Sequence, residues 1–119
     1  RNGFVAGFFC GLNVFPAIVN DGNVATPLGV FAAPGFGNGA KVDVFVRIEG
    51  VDVQNVTEKD GLARGRVLSS RFAGDKRLIT VLVDGDGEPL KLKIPARQTL
   101  KSNFVSFVVD PSSVLIFTR

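Results

Sequence analysis

From residue 13 onward, short runs of β-branched and aromatic residues alternate with segments made of Gly, Pro, Asn and Asp. Within these runs apolar and polar side chains often alternate, which is the period of a strand with one buried face. The clearest case is the stretch 41–48, in which every second residue is Val or Ile. The pattern predicts nine strands: Val14–Val19, Asn23–Ala25, Gly29–Ala33, Lys41–Ile48, Leu62–Ser70, Arg77–Val83, Pro89–Ile94, Phe104–Val109 and Val114–Phe117.

Two polar segments between these runs predict tight turns. Asn20–Asn23 and Asp84–Gly87 combine Asn or Asp with Gly, the residues that adopt the backbone angles of short hairpin loops. The sequence therefore predicts a hairpin at each of these places.

The segment before the strands has a different period. Phe4 and Phe8, like Val5 and Phe9, are four residues apart, a spacing that places side chains on one face of a helix. Three glycines interrupt the segment, and each costs about 1 kcal/mol relative to Ala in a helix. We therefore expect a short helical stub whose phenylalanine face packs against the strands or against a second copy of the chain.

An internal repeat relates two parts of the chain. Ala32–Val53 and Lys93–Phe117 both run from a strand end through a proline and a loop into an apolar strand, a short polar break and a last apolar strand. Such a repeat predicts one unit used twice, with two small curved sheets that share a core because neither can bury its face alone. The alternative is a chance recurrence, since the two copies lack identical side chains.

Composition narrows the class of protein. A chain of 119 residues with 45% hydrophobic residues has room for one folded domain. Histidine is absent and cysteine occurs once, which excludes His-dependent catalysis, zinc fingers and an internal disulfide. The sequence does not begin with methionine, so we expect it to be part of a longer protein.

The net charge of +3 is small, but its distribution is uneven. Residues 64 to 101 contain nine basic and four acidic residues. A basic second half suits an anionic partner, although cations that alternate with apolar residues are also typical of a solvated strand face. Both interpretations stay open at this point.

The sequence contains no complete catalytic or ligand-binding motif. The chain lacks a G-x-x-x-x-G-K-[ST] phosphate loop, and the glycines of Pro34–Gly39 are better explained by turns than by a nucleotide site. Asp84–Glu88 lacks the full ligand pattern of a calcium loop, and Cys10 lies among phenylalanines as a buried apolar group would. We predict no catalytic residues, no metal site and no enzymatic activity for this chain.

The second half resembles the TOBE domain, the C-terminal β-domain of ATP-binding subunits of bacterial ABC importers. The resemblance rests on several short elements in order: Gly65-x-Val67, Phe72-x-Gly74-Asp75, Val81-x-Val83, and Asp110-Pro111 before Val114–Phe117. Upstream, Val46–Glu49 resembles the V-R-P-E element of the family, with Ile48 where proline is usual. Residues 4–13 resemble the junction through which the ATPase domain leads into this module.

The resemblance implies an all-β, duplicated OB-like small barrel or sandwich after the helical stub. Residues 1–12 would be the remnant of the linker or of the last helix of the ATPase domain, and residues 13–119 the β-domain, with halves at about 13–55 and 56–119. The chain would hold no cofactor, since ATP and magnesium bind the ATPase domain of the parent. The iron(III) or polyamine branch of importers is preferred on the similarity of the N-terminal stretch.

The same resemblance implies the partners. These are the ATPase domain of the same chain, a second ATP-binding subunit in a homodimer, the transporter permease, and a regulatory protein or a small oxyanion. The location implied is the cytoplasm, peripheral at the inner membrane. The residues proposed to touch a partner are Arg47, Glu49, Phe72, Gly74 and Asp75, where exposed ion pairing and a simple turn are the structural alternatives.

The sequence leaves two other functions open. A MOP-like module that senses an oxyanion would use backbone N–H groups with Ser69, Ser70, Lys91 or Arg97. An OB-type binder of single-stranded nucleic acid would need aromatic side chains among the cations. The second is disfavoured because, before Phe104, only Phe72 lies in the basic stretch.

Overall fold

The computed structural model describes residues 7–9, 11–56, 63–83 and 89–119. These residues form eleven strands: β1 (Gly7–Phe9), β2 (Leu12–Ile18), β3 (Asn23–Thr26), β4 (Gly29–Ala32), β5 (Lys41–Arg47), β6 (Val51–Asn55), β7 (Ala63–Ala73), β8 (Lys76–Val83), β9 (Leu90–Pro95), β10 (Phe104–Val109) and β11 (Val114–Thr118). A first 3-10 turn (Ile48–Gly50) precedes β6, and a second 3-10 turn (Pro111–Ser113) precedes β11. No helix within the described ranges is long and apolar enough to cross a membrane.

The strands form two main antiparallel sheets and a small hairpin. The first sheet has the order β1-β2-β5-β11, the second has the order β6-β10-β7-β8-β9, and β3 pairs with β4. The buried apolar residues of both sheets and of the β3–β4 hairpin form a single core, in which Val42, Val44 and Val46 of β5 are fully buried. In β9, Leu90, Leu92 and Ile94 are buried and alternate with exposed residues, as the alternation of apolar positions predicts.

The predicted repeat is visible in the register of the strands. Val114 of β11 pairs with Val46 of β5, and its repeat counterpart Val51 of β6 pairs with Val109 of β10. Each unit therefore sends its last strand into the other unit's sheet. The sheets do not divide the chain at residue 55, because β6 belongs to the second sheet and β11 to the first.

The two 3-10 turns meet where the repeats cross. The backbone N–H of Asp110 donates to the carbonyl of Gly50 over 2.8 Å. A Cβ placed on Gly50 would overlap the side chain of Ser113, which is the counterpart of Gly50 in the repeat. Gly50 and Ser113 occupy the same position in the two repeats and touch each other. They therefore lie at the axis that relates the two units.

The strand predictions are confirmed within a few residues at their ends, and the predicted all-β fold is confirmed with them. The helical stub is wrong for the described part of residues 1–12, because Gly7–Phe9 is a strand that pairs with β2. β6 is absent from the nine predicted strands. The assignment of residues 13–55 and 56–119 as domain halves stays a prediction.

One of the two predicted tight turns is confirmed, and the other lies outside the described residues. Asp21 and Gly22 have positive φ angles of 53° and 78° between Asn20 and Asn23, whose backbones bond to each other, so this tight turn is confirmed. Gly35 and Gly39 also have positive φ, which agrees with turns in this loop. The predicted hairpin at 84–87 and Cys10 lie outside the described residues.

Candidate functional site

A cavity of about 410 Å³ lies where strands β7, β8 and β9 approach the turn between β1 and β2. Three of the four residues predicted for an oxyanion site line it, namely Ser69, Ser70 and Lys91. The other lining residues are Gly11, Ile48, Arg71, Leu78, Ile79, Thr80, Leu92 and Lys93. The fold thus gathers residues that are more than twenty positions apart in the sequence.

The strand register decides which of these side chains share a face. Ser69 lies opposite Thr80, and Thr80 lies opposite Lys91, so the three form one row across β7, β8 and β9. Residues opposed in an antiparallel pair point to the same side of the sheet. The row therefore places two hydroxyls beside one ammonium group.

Ser70 belongs to the next row and points the other way. It lies opposite Ile79, which in turn lies opposite Leu92, and both of these are buried on the core side. The register of β7 shifts between Val67 and Ser69, a β-bulge that turns Ser69 to the outer side. The two serines are therefore not interchangeable. Ser69 shares the outer side of Lys91, whereas Ser70 shares the core side with Ile79 and Leu92, and the cavity is lined from both sides.

The charges around this cavity all have one sign. Arg71, Leu78 and Lys93 form a further cross-strand row on the same outer side as Lys91. The described lining contains three cations and no carboxylate. Hydroxyl donors beside several cations are suited to bind a small anion through charge-assisted hydrogen bonds.

Asn13 fixes the position of this edge of the second sheet. Its side chain is only 1% exposed, and its amide nitrogen donates to the carbonyl of Lys91 over 3.1 Å. The sequence pattern did not single out Asn13 or Thr80 as site residues. Asn13 occupies an inward position of β2 beside Phe15 and Ala17, so a polar residue in that alternating pattern was the available signal.

Arg97, the fourth residue predicted for the oxyanion site, lies elsewhere. It is exposed in the turn after β9 and does not line the cavity. The turn is held by the backbone N–H of Ala96, which donates to the carbonyl of Asp75, and by Gln98, which bonds back to Pro95. The structure therefore does not bring Arg97 together with Ser69 and Lys91.

The residues predicted to touch a partner form two groups. Arg47 and Glu49 are exposed at the first 3-10 turn, and the Arg47 side chain makes no capping bond to that turn. Phe72, Gly74 and Asp75 form the other group, at the end of the β7–β8 hairpin.

The hairpin group combines an exposed ring with a tight turn. Phe72 is 71% exposed, and the Arg77 guanidinium lies 5.9 Å from the centre of its ring, within cation–π range. Gly74 has a φ of +69°, so the turn itself explains this glycine.

Glu49 also lines a second cavity of about 700 Å³, in which charges of both signs are mixed. Its charged lining residues are Glu49, Asp52, Asp110, Lys76 and Lys93. Asp110 accepts a hydrogen bond from the backbone N–H of Ser112 and a second, with a smaller effect, from the Ser112 hydroxyl. Both bonds stabilise the carboxylate and hold the pKa of Asp110 below its ordinary value of 3.8. In the described part of the chain, no three His, Cys, Asp or Glu residues are grouped so that they could hold a metal ion.

Comparison with known proteins agrees with the fold. No protein-family model and no curated protein matches the sequence. The chain is similar to the crystal structure of the cytoplasmic molybdate-binding protein ModG with molybdate bound, with a TM-score of 0.62 and 14% sequence identity. The match covers 96% of this chain and 89% of that chain. At this identity the likeness establishes a shared OB-like β-fold, and the resemblance to the TOBE domain of ABC importers stays a prediction.

Proposed function

We propose that the chain is a small, non-catalytic β-module that binds a tetrahedral oxyanion beside Ser69, Thr80 and Lys91. The observation that carries the proposal is the cross-strand row of these three residues next to Arg71 and Lys93, with no carboxylate in the described lining. Similarity of fold to a protein described as molybdate-binding supports the same class of ligand.

The row offers what a small oxyanion requires. Lys91 and Lys93 supply two compact positive charges on one strand, and the hydroxyls of Ser69 and Thr80 supply hydrogen-bond donors on the neighbouring strands. Because Asn13 anchors the backbone of Lys91, the strand that carries both ammonium groups is fixed before the anion arrives. Anion binding at the rim of the core would couple the position of β9 to ligand occupancy.

Isothermal titration calorimetry with molybdate, sulfate and phosphate tests this proposal. We expect heat with at least one of the three, and we expect Lys91→Ala to weaken that binding about 10-fold or more, because a bond to a charged group contributes about 1.5–3 kcal/mol. Lys41→Ala removes an exposed lysine of β5 and should leave the affinity unchanged. Silence with all three anions would exclude the proposal.

A second candidate function is that of an accessory domain in the ATP-binding subunit of an ABC importer. The resemblance of residues 62–117 and 46–49 to the TOBE domain supports it, and so does the exposure of Arg47, Glu49 and Phe72. In this function the module would contact a second subunit in one state of the ATPase cycle and bias that state. Its place would be the cytoplasmic side of the inner membrane, with ATP and magnesium on the parent's ATPase domain.

The subunit contact can be tested on this chain by analytical ultracentrifugation. We expect reversible self-association at high micromolar concentration, and we expect Arg47→Ala to reduce it. The matched variant Lys41→Ala removes a cation at the other end of β5 and should associate normally. A strict monomer over the whole concentration range contradicts the contact, whatever the outcome of the anion titrations.

A further inference from the structure

The outer side of strands β7, β8 and β9 carries exposed cations along its length, and Lys76 and Lys93 at one end of it also line the mixed-charge cavity that contains Glu49. We call this outer side the basic face, and its exposed cations are Arg66, Arg71, Lys76, Lys91 and Lys93. The three strands contain no Asp or Glu. None of the five cations has an ion-pair partner among the described residues.

The basic face is larger than a small anion needs. From the row of Leu82 to the row of Lys76 it extends over seven residues of β8, and the six steps between them give about 20 Å at the rise of a strand. A tetrahedral oxyanion is small and can contact the cations at only one place along this length. A row of cations of this length fits a ligand that carries several phosphates in series.

An exposed aromatic ring stands at one end of the basic face. Phe104 of β10 lies opposite Arg66 of β7, and Arg66 lies opposite Leu82, so the ring shares the side of the cations. Phe104 is 51% exposed. The sequence argued against nucleic acid because its aromatic residues lie outside the basic stretch, but the fold pairs one of them with a cation.

We propose that the basic face binds single-stranded nucleic acid, with the phosphates along the cations of β7–β9 and a base stacked on Phe104. Cations that follow a backbone and a ring that stacks on a base are the two elements of sequence-independent single-strand binding. An anionic membrane is a poorer fit, because Leu78 in the middle of the face is only half-exposed and offers little apolar surface to insert between lipids. The proposal rests on the charges and the register, and it does not depend on oxyanion binding.

Fluorescence anisotropy with a labelled oligo-dT of about 15 nucleotides tests the electrostatic part. We expect binding that weakens as salt is added. In a plot of log K against the logarithm of the salt concentration, the slope should be about −0.7 for each phosphate contacted. Lys93→Glu should weaken binding about 10-fold at low salt and reduce the slope. Lys41→Glu makes the same charge change on an exposed residue of the first sheet and should have no effect.

The aromatic contact has its own matched pair. Phe104→Leu should weaken binding about 5- to 10-fold and leave the salt slope unchanged, because it removes stacking and no charge. Phe117→Leu replaces a ring of similar exposure, 54%, on the edge strand of the first sheet and should leave binding unchanged. Equal losses in the two variants would contradict the assignment of Phe104.

The outcomes separate this proposal from the oxyanion site. Absence of oligonucleotide binding, together with heat from molybdate, sulfate or phosphate, overturns the nucleic-acid proposal and supports the oxyanion site. Oligonucleotide binding with calorimetric silence for all three anions does the reverse. Binding to phosphatidylserine vesicles that is tighter than binding to the oligonucleotide would also overturn the proposal, in favour of a lipid surface.

Discussion

Replacing Phe107 with Ala is expected to lower the free energy of unfolding by about 3–5 kcal/mol. The side chain is 2% exposed in β10, next to the edge strand of the second sheet, and it belongs to the single core. Gly65 on the paired strand leaves room for it, because a Cβ there would stand 3.1 Å from the ring. Truncation would leave a cavity that the dense surroundings fill only in part. Urea denaturation followed by circular dichroism measures the loss.

Phe104→Ala is the matched control for this loss. It removes the same side chain from the same strand, but the ring is half-exposed, so we expect a loss below about 1 kcal/mol. Similar losses in the two variants would contradict the placement of Phe107 in the core.

Gly50→Ala is expected to lower stability by about 1–3 kcal/mol, because the added methyl group overpacks the crossing of the two 3-10 turns. The methyl would overlap the side chain of Ser113, and the two turns are also joined by the bond from Asp110 to Gly50. Relief therefore requires the turns to move apart. Thermal unfolding of the variant and the parent chain gives the change.

A compensating variant makes this test specific. In a chain that already carries Ser113→Gly, the substitution Gly50→Ala should cost much less, since the colliding side chain is gone. Gly37→Ala is the control for loss of a glycine, because a Cβ at this position meets nothing within 4 Å. If Gly50→Ala costs the same with and without Ser113, the crossing is not the cause.

Local patterns predicted most of the fold, and the exceptions have physical causes. β6 was missed because Val51–Asn55 has only two apolar residues, and its partner β10 lies about fifty residues further along the chain. The helical spacing of the phenylalanines was misleading for Gly7–Phe9, the described part of that segment, because Gly11 adopts a φ of +76° between β1 and β2 and the two strands pair. In both cases pairing between strands outweighed the local preference.

The candidate site was harder to predict from the sequence than the strands were, because the grouping of its residues depends on the fold. The sequence indicated Ser69, Ser70 and Lys91, and neighbouring serines on a strand must point to opposite faces. The bulge in β7 decides that Ser69, and not Ser70, shares the face of Lys91. Arg77 counted toward the basic stretch in the sequence. In the structure it points inward and donates to the carbonyl of Gln98 over 2.6 Å. The strand register therefore decides which cations are exposed to solvent, and the count of cations in the sequence does not predict this.

The exchange of last strands has a consequence for how the polypeptide is assembled during translation. β5 is made early, yet one of its two neighbours consists of residues 114–118, so that flank stays unpaired until these residues leave the ribosome. An unpaired apolar edge is open to wrong partners in the meantime. A stop codon just before β11 would leave every residue of β5 intact and still deprive the first sheet of its final member.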